Sequence, residues 1–273
     1  MKFASLGLIV AILVAGAGWG ASAQTPDEIA INRADAARYT DAELIGFFAA
    51  GFDDGRPGSY RRMRDAFPEE FEAFERDMVK EVRSGMLTTG RAIAMGYRFT
   101  RDLAGKYRGA MAKAPQHLLV ASANAQLETL KTLRGINLTA CHELGELGML
   151  SEASTLSLPA GAEEAMRRFA DVQLEALLAG RATPVDHPRV TETDMNRLLD
   201  AYQRRGGSTT ILGALGTHNI AAYAPAERCD AMITLLEALA EQPPPMLARI
   251  WAFLFNPEGG VGQTADATRA RFV

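Results

Sequence analysis

Helix-start signals recur along this chain, and apolar residues at helical spacing follow most of them. Thr25-Pro26-Asp27-Glu28 has a cap residue, a proline at the first helical position and acids in the first turn. Thr40-Asp41-Ala42-Glu43 has the form of a capping box. The helix it starts carries Leu44, Phe47, Phe48 and Phe52 on one side and stops at Asp53-Asp54-Gly55. Ser59 caps a short helix bearing Tyr60, Met63 and Phe67. Pro68-Glu69-Glu70 opens the next, with Phe71, Phe74, Met78 and Val82 in one stripe. From Ser84 to Ala114 the helical pattern continues through five glycines, at 85, 90, 96, 105 and 109. Each costs about 1 kcal/mol against alanine inside a helix, so they imply close helix contacts or breaks.

Further helices are expected over 116–134, with Gly135 as the stop, and over 140–150, with Thr139 as the cap. Others are expected from Pro159 to Leu178 with Gly180 ending it, and from Thr191 or Thr193 to Tyr202. The remaining ones span 208–215, 225–239 and 246–255, the last two separated by Pro243-Pro244-Pro245. Residues 181–190 hold two prolines and read as a loop. No alternating β-branched run is long enough for a strand, and no internal repeat has a fixed period. The fold class expected is all-α, a multi-helix bundle or orthogonal α-domain over residues 24–255. Residues 256–273 lack an apolar stripe and read as a flexible C-terminal tail.

Residues 1–23 have the form of an export signal. Lys2 is the positive start, Leu6 to Val14 is uninterrupted apolar sequence, and Ala21-Ser22-Ala23 offers small residues for cleavage. The mature protein is expected to begin at Gln24 and to be periplasmic or secreted. The competing reading is an uncleaved anchor, since about 20 apolar residues span a bilayer. No cysteine follows the apolar run, and no second long apolar segment exists, so no stable membrane span is expected after cleavage. The formal charge of the whole chain is −4, and one unit more negative once Lys2 leaves. That balance argues against a nucleic-acid partner, whose phosphates need neutralising.

Cys141 and Cys229 are the two cysteines. An even pair in an oxidising compartment is expected to form a disulfide. The competing reading is two buried thiols packed as small apolar side chains.

The densest polar cluster runs from Thr139 to Glu146. His142 and Glu146 are four apart and share a helical face, with Glu143 turned about 100° away. A zinc protease helix would carry a second histidine where Glu146 stands, so that pattern is broken. His142 and Glu146 still form half a ligand set, with His218 or His117 as a third member. The plainer reading is a histidine and acids near a helix start, stabilised by the helix dipole. If Cys141 bridges Cys229, the Gly216-Thr217-His218-Asn219 loop is drawn toward His142. No nucleophile elbow and no phosphate-binding glycine loop is present. No metal and no cofactor is expected. Asn137-Leu138-Thr139 fits a glycosylation triplet.

Between 83 and 113 the chain carries Arg83, Arg91, Arg98, Arg101, Lys106, Arg108 and Lys113 against one acid, Asp102. Such a segment suits an anionic envelope component; the plain alternative is a solvated face paired with acids such as Glu143, Glu146, Glu163 and Glu164. The function expected is an exported helical binding or interaction protein of the cell envelope, its partner an envelope protein or an anionic component. The alternative is a metal-dependent hydrolase using His142, Glu143 and Glu146.

Overall fold

A computed structural model describes residues 36–53, 59–85, 87–158, 160–216 and 220–255. The leader, the expected cleavage site, the C-terminal tail and His218 lie outside the described residues. Among the described residues there are thirteen α-helices and no strand. None of these helices is long and apolar enough to cross a membrane. In chain order they are α1 (Asp41–Asp53), α2 (Ser59–Ala66), α3 (Pro68–Ser84), α4 (Thr89–Lys106) and α5 (Arg108–Met111). Then come α6 (Gln116–Ile136), α7 (Leu138–Leu147), α8 (Glu152–Leu156), α9 (Ala160–Ala182) and α10 (Glu192–Arg204). The last three are α11 (Thr209–Gly216), α12 (Pro225–Ala240) and α13 (Pro244–Phe255), with a 3₁₀ turn at Ile220–Ala222.

Helix α6 is the hub. It packs against α7, α9, α12 and α13. Leu119, Leu127, Leu130 and Leu133 are buried along it, each leucine contributing about 1.5–3 kcal/mol by leaving water. A helix enclosed on several sides must also bury polar positions, and these need partners. Ser122 Oγ accepts hydrogen bonds from Gln173 Nε2 of α9 (2.8 Å) and Trp251 Nε1 of α13 (2.9 Å). Gln126 Nε2 donates to the Leu144 carbonyl of α7 at 3.2 Å, and Thr129 Oγ1 donates to the Ala165 carbonyl of α9 at 3.1 Å. These directional bonds set the register of three neighbouring helices on α6.

A second, smaller core joins α1, α3 and α4 through Leu44, Met78, Val79, Val82, Leu87 and Ala92. Arg83 secures it by binding Asp41 and the carbonyls of Ala36 and Tyr39. The capping box at Thr40 and Glu43 forms as expected.

Several helix limits differ from the sequence reading. The expected helical stretch 84–114 is three elements. Gly85 takes a left-handed conformation (φ 71°) that ends α3, Thr88 caps α4, and Tyr107 separates α4 from α5. Gly180 does not end α9, which continues to Ala182. A Cβ at Gly180 would sit 1.9 Å from the Ala110 carbonyl oxygen, so this glycine permits α9 to meet α5 backbone to backbone. Helix α7 starts at Leu138, capped by Asn137 rather than Thr139, and Gly148 ends it before the expected limit at 150. The short helix α8 had no separate signal in the sequence.

Candidate functional site

The cluster at 139–146 lies on α7. Asn137 starts this helix: its backbone is extended and its side chain accepts the Ala140 N–H at 3.0 Å. The same side chain is the acceptor of the glycosylation triplet, so its carbonyl is already engaged in the fold. At the other end Gly148 adopts φ 69°, and its N–H reaches the Leu144 carbonyl. Ala140, Cys141, Leu144 and Gly145 are buried toward the core. Leu138, Thr139 and Leu147 face solvent, and His142, Glu143 and Glu146 lie along the boundary.

Cys141 and Cys229 form a disulfide, with their Cα atoms 5.5 Å apart, clasping α7 to α12. The two helices approach closely. A Cβ on Gly145 would lie 2.8 Å from the Met232 side chain. The bridge brings a residue to the cluster that spacing alone did not suggest. Arg228 precedes Cys229, and its guanidinium grips Glu146 with both arms, Nε to Oε1 at 2.5 Å and Nη2 to Oε2. Glu146 and Arg228 side chains are 10% and 15% exposed, so water screens this pair weakly.

His142 sits beside this pair. Its Nδ1 is 3.4 Å from Glu146 Oε1, yet it is buried and makes no hydrogen bond. Burial, and then the Arg228 charge, push the imidazole pKa below its ordinary 6.5, against the opposing pull of Glu146 and Glu143. These surroundings disfavour the charged ring. Glu143 turns the other way, to the start of α8. It accepts the Ser151 N–H at 2.8 Å and the Ser151 hydroxyl at 3.0 Å. Ser151 Oγ in turn accepts the Ser154 N–H as the cap of α8. Glu143 thus supports the cap of the next helix, a role different from a dipole effect at its own helix start.

His218, the other histidine the sequence singled out, lies outside the described residues. His117 is exposed at the start of α6. Among the described residues, no group of three or more His, Cys, Asp or Glu side chains is placed to hold a metal ion. The cluster's two acids are instead held by Ser151 and Arg228, and its cysteine by Cys229. The arrangement builds a clasp between helices.

The basic stretch is largely tied down by acids other than those the sequence suggested. Arg83 pairs with Asp41, Arg91 with Glu81, Lys106 with Glu70 and Lys113 with Asp186. Arg108 donates to the Leu254 carbonyl. Burial works against ionisation of Glu70, but Lys106 and the Tyr107 hydroxyl outweigh it and hold the carboxyl at about 2. Arg98 is exposed on α4. No family model, curated protein or solved structure matches this chain.

Proposed function

We propose that this chain is an exported helical interaction protein of the cell envelope, acting by binding rather than catalysis. In this reading an all-α domain, packed as a bundle or orthogonally, follows a cleaved leader. Its partner is another envelope protein or an anionic envelope component. One observation carries the reading: the groups best suited to chemistry hold the fold together. Cys141 is in the disulfide, Glu146 is gripped by Arg228, and Glu143 supports Ser151. A buried disulfide also suits an oxidising compartment, in agreement with the leader. Ile136 and Leu138, at the α6–α7 corner, are exposed by 47% and 36%, and Leu147, at the far end of α7, by 48%.

The test combines two measurements. Intact mass of the exported protein is expected to place its start at Gln24. His142→Ala and Glu143→Gln are expected to restore function in a deletion strain to within a few-fold of wild type. Losing a catalytic base instead costs roughly 100-fold or more in rate. Loss of function in both variants with unchanged thermal unfolding, together with a stoichiometric divalent metal in the purified protein, would favour the hydrolase alternative.

A further inference from the structure

Helix α7 is fastened to α12 at two points of different chemistry. One is covalent, the Cys141–Cys229 bridge. The other, about a turn and a half further along, is ionic, with Glu146 held by both arms of Arg228. His142 lies against the ionic point, with Nδ1 buried and unpartnered 3.4 Å from Glu146 Oε1. We propose that protonation of His142 opens the ionic point while the disulfide holds the covalent one, so that acid releases the C-terminal turn of α7 and the short helix α8.

The argument is one of charge balance in a poorly hydrated place. Glu146 Oε1 already receives the Arg228 Nε–H. A proton on His142 sets a second cation beside the same carboxylate and beside the guanidinium. One carboxylate cannot neutralise both where water screens weakly. The other acid within influence is Glu143; its charge favours the imidazolium, but its hydrogen bonds to Ser151 fix the carboxylate at the start of α8, so burial and the Arg228 charge still outweigh it. If Glu143 turns to the imidazolium, α8 loses the support of its cap; if it does not, Arg228 and His142 must separate. Other elements offer no easy relief. On the α6 side Gln126 reaches the Leu144 carbonyl, and Arg134 is paired with Asp230 of α12. Both outcomes act on 144–151 and leave Cys141 and Cys229 in place.

The sign follows from the same contacts. In the closed form burial and Arg228 keep the imidazole pKa below 6.5. In the open form the ring is hydrated and its pKa returns to the ordinary value. Closure therefore has its full strength above pH 6.5 and weakens as pH falls through the closed-state pKa.

Amide hydrogen exchange on the full oxidised chain tests this at about pH 7.5 and about pH 5, either side of the histidine range. Rates are corrected for the intrinsic effect of pH, and an NMR titration of His142 is run alongside. In wild type the opening constants of the Gly148 and Ser151 amides are expected to rise in acid. The rise should be about sevenfold if the measured His142 pKa lies about one unit below the ordinary value, and about thirtyfold at most however far below it lies. In His142→Gln they are expected to stay level, while amides flanking Cys141 and Cys229 stay protected in both proteins. An equal acid response in His142→Gln, no response in wild type, or a His142 titration at or above the ordinary value would each overturn the proposal. If His142→Gln does not fold, the wild-type titration and exchange still decide it.

Discussion

Replacing both Cys141 and Cys229 with alanine measures what the α7–α12 clasp contributes. Alanine suits these sites because both cysteines are fully buried, and a serine hydroxyl would add an unsatisfied group. The two cysteines are 88 residues apart in the chain. In the chain-entropy picture, a loop of that length restricts the unfolded state by about 4.6 kcal/mol at 25 °C. Measured losses for native disulfides run at about 2–5 kcal/mol, so a loss of about 3–5 kcal/mol is expected here. Against a total stability of roughly 5–15 kcal/mol this is a large fraction. Urea unfolding followed by circular dichroism gives the number. The midpoint should fall, and the slope should rise because the uncrosslinked unfolded chain exposes more surface. Reduced wild type should unfold like the double variant. The reasoning fails if denatured, unreduced wild type titrates two thiols per chain. It also fails if the double variant lies within about 1 kcal/mol of wild type.

Two glycine substitutions should move stability in opposite directions. Gly46 sits inside α1 with nothing within 4 Å of a would-be Cβ, so Gly46→Ala should add about 0.5–1 kcal/mol. Gly180→Ala gains similar helix propensity but drives its Cβ into the Ala110 backbone, and should lose roughly 1–3 kcal/mol or more by overpacking. Urea midpoints of the two variants check both signs. Glu143→Gln removes one of two acceptors from Ser151 and sets an amide donor against a donor, so it should cost about 1–2 kcal/mol. Thermal unfolding reads that loss, and faster exchange at the Ser151 amide would locate it.

The all-helical class was legible from local signals. Proline at a first turn, as at Pro68 and Pro225, constrains φ and sacrifices only an N–H that would lack a helical partner anyway. The capping boxes at Thr40 and Thr191 likewise act within four residues, so they survive any tertiary arrangement. Where two local signals compete, the chain's context decides. Asn137 and Thr139 both qualify as caps for α7, and the sharp turn out of α6 gives the role to Asn137. Gly180 has the composition of a helix stop, yet it serves a contact with Ala110, distant in sequence.

The site was legible in its parts and not in its assembly. The sequence named Cys141, His142, Glu143 and Glu146 and suggested the bridge to Cys229. It did not pair Glu146 with Arg228, although the suggested bridge already placed Arg228 nearby: a residue adjacent to a bridged cysteine travels with it. The sequence alone determined most of the helices, though not α8 or every helix end, through backbone geometry and hydrogen bonds that close within a few residues. Only the tertiary structure decided that the His142 pKa is pushed down and that Glu143 supports another helix. Both depend on burial and on charges brought close by packing, and these have no expression in the spacing of residues along the chain.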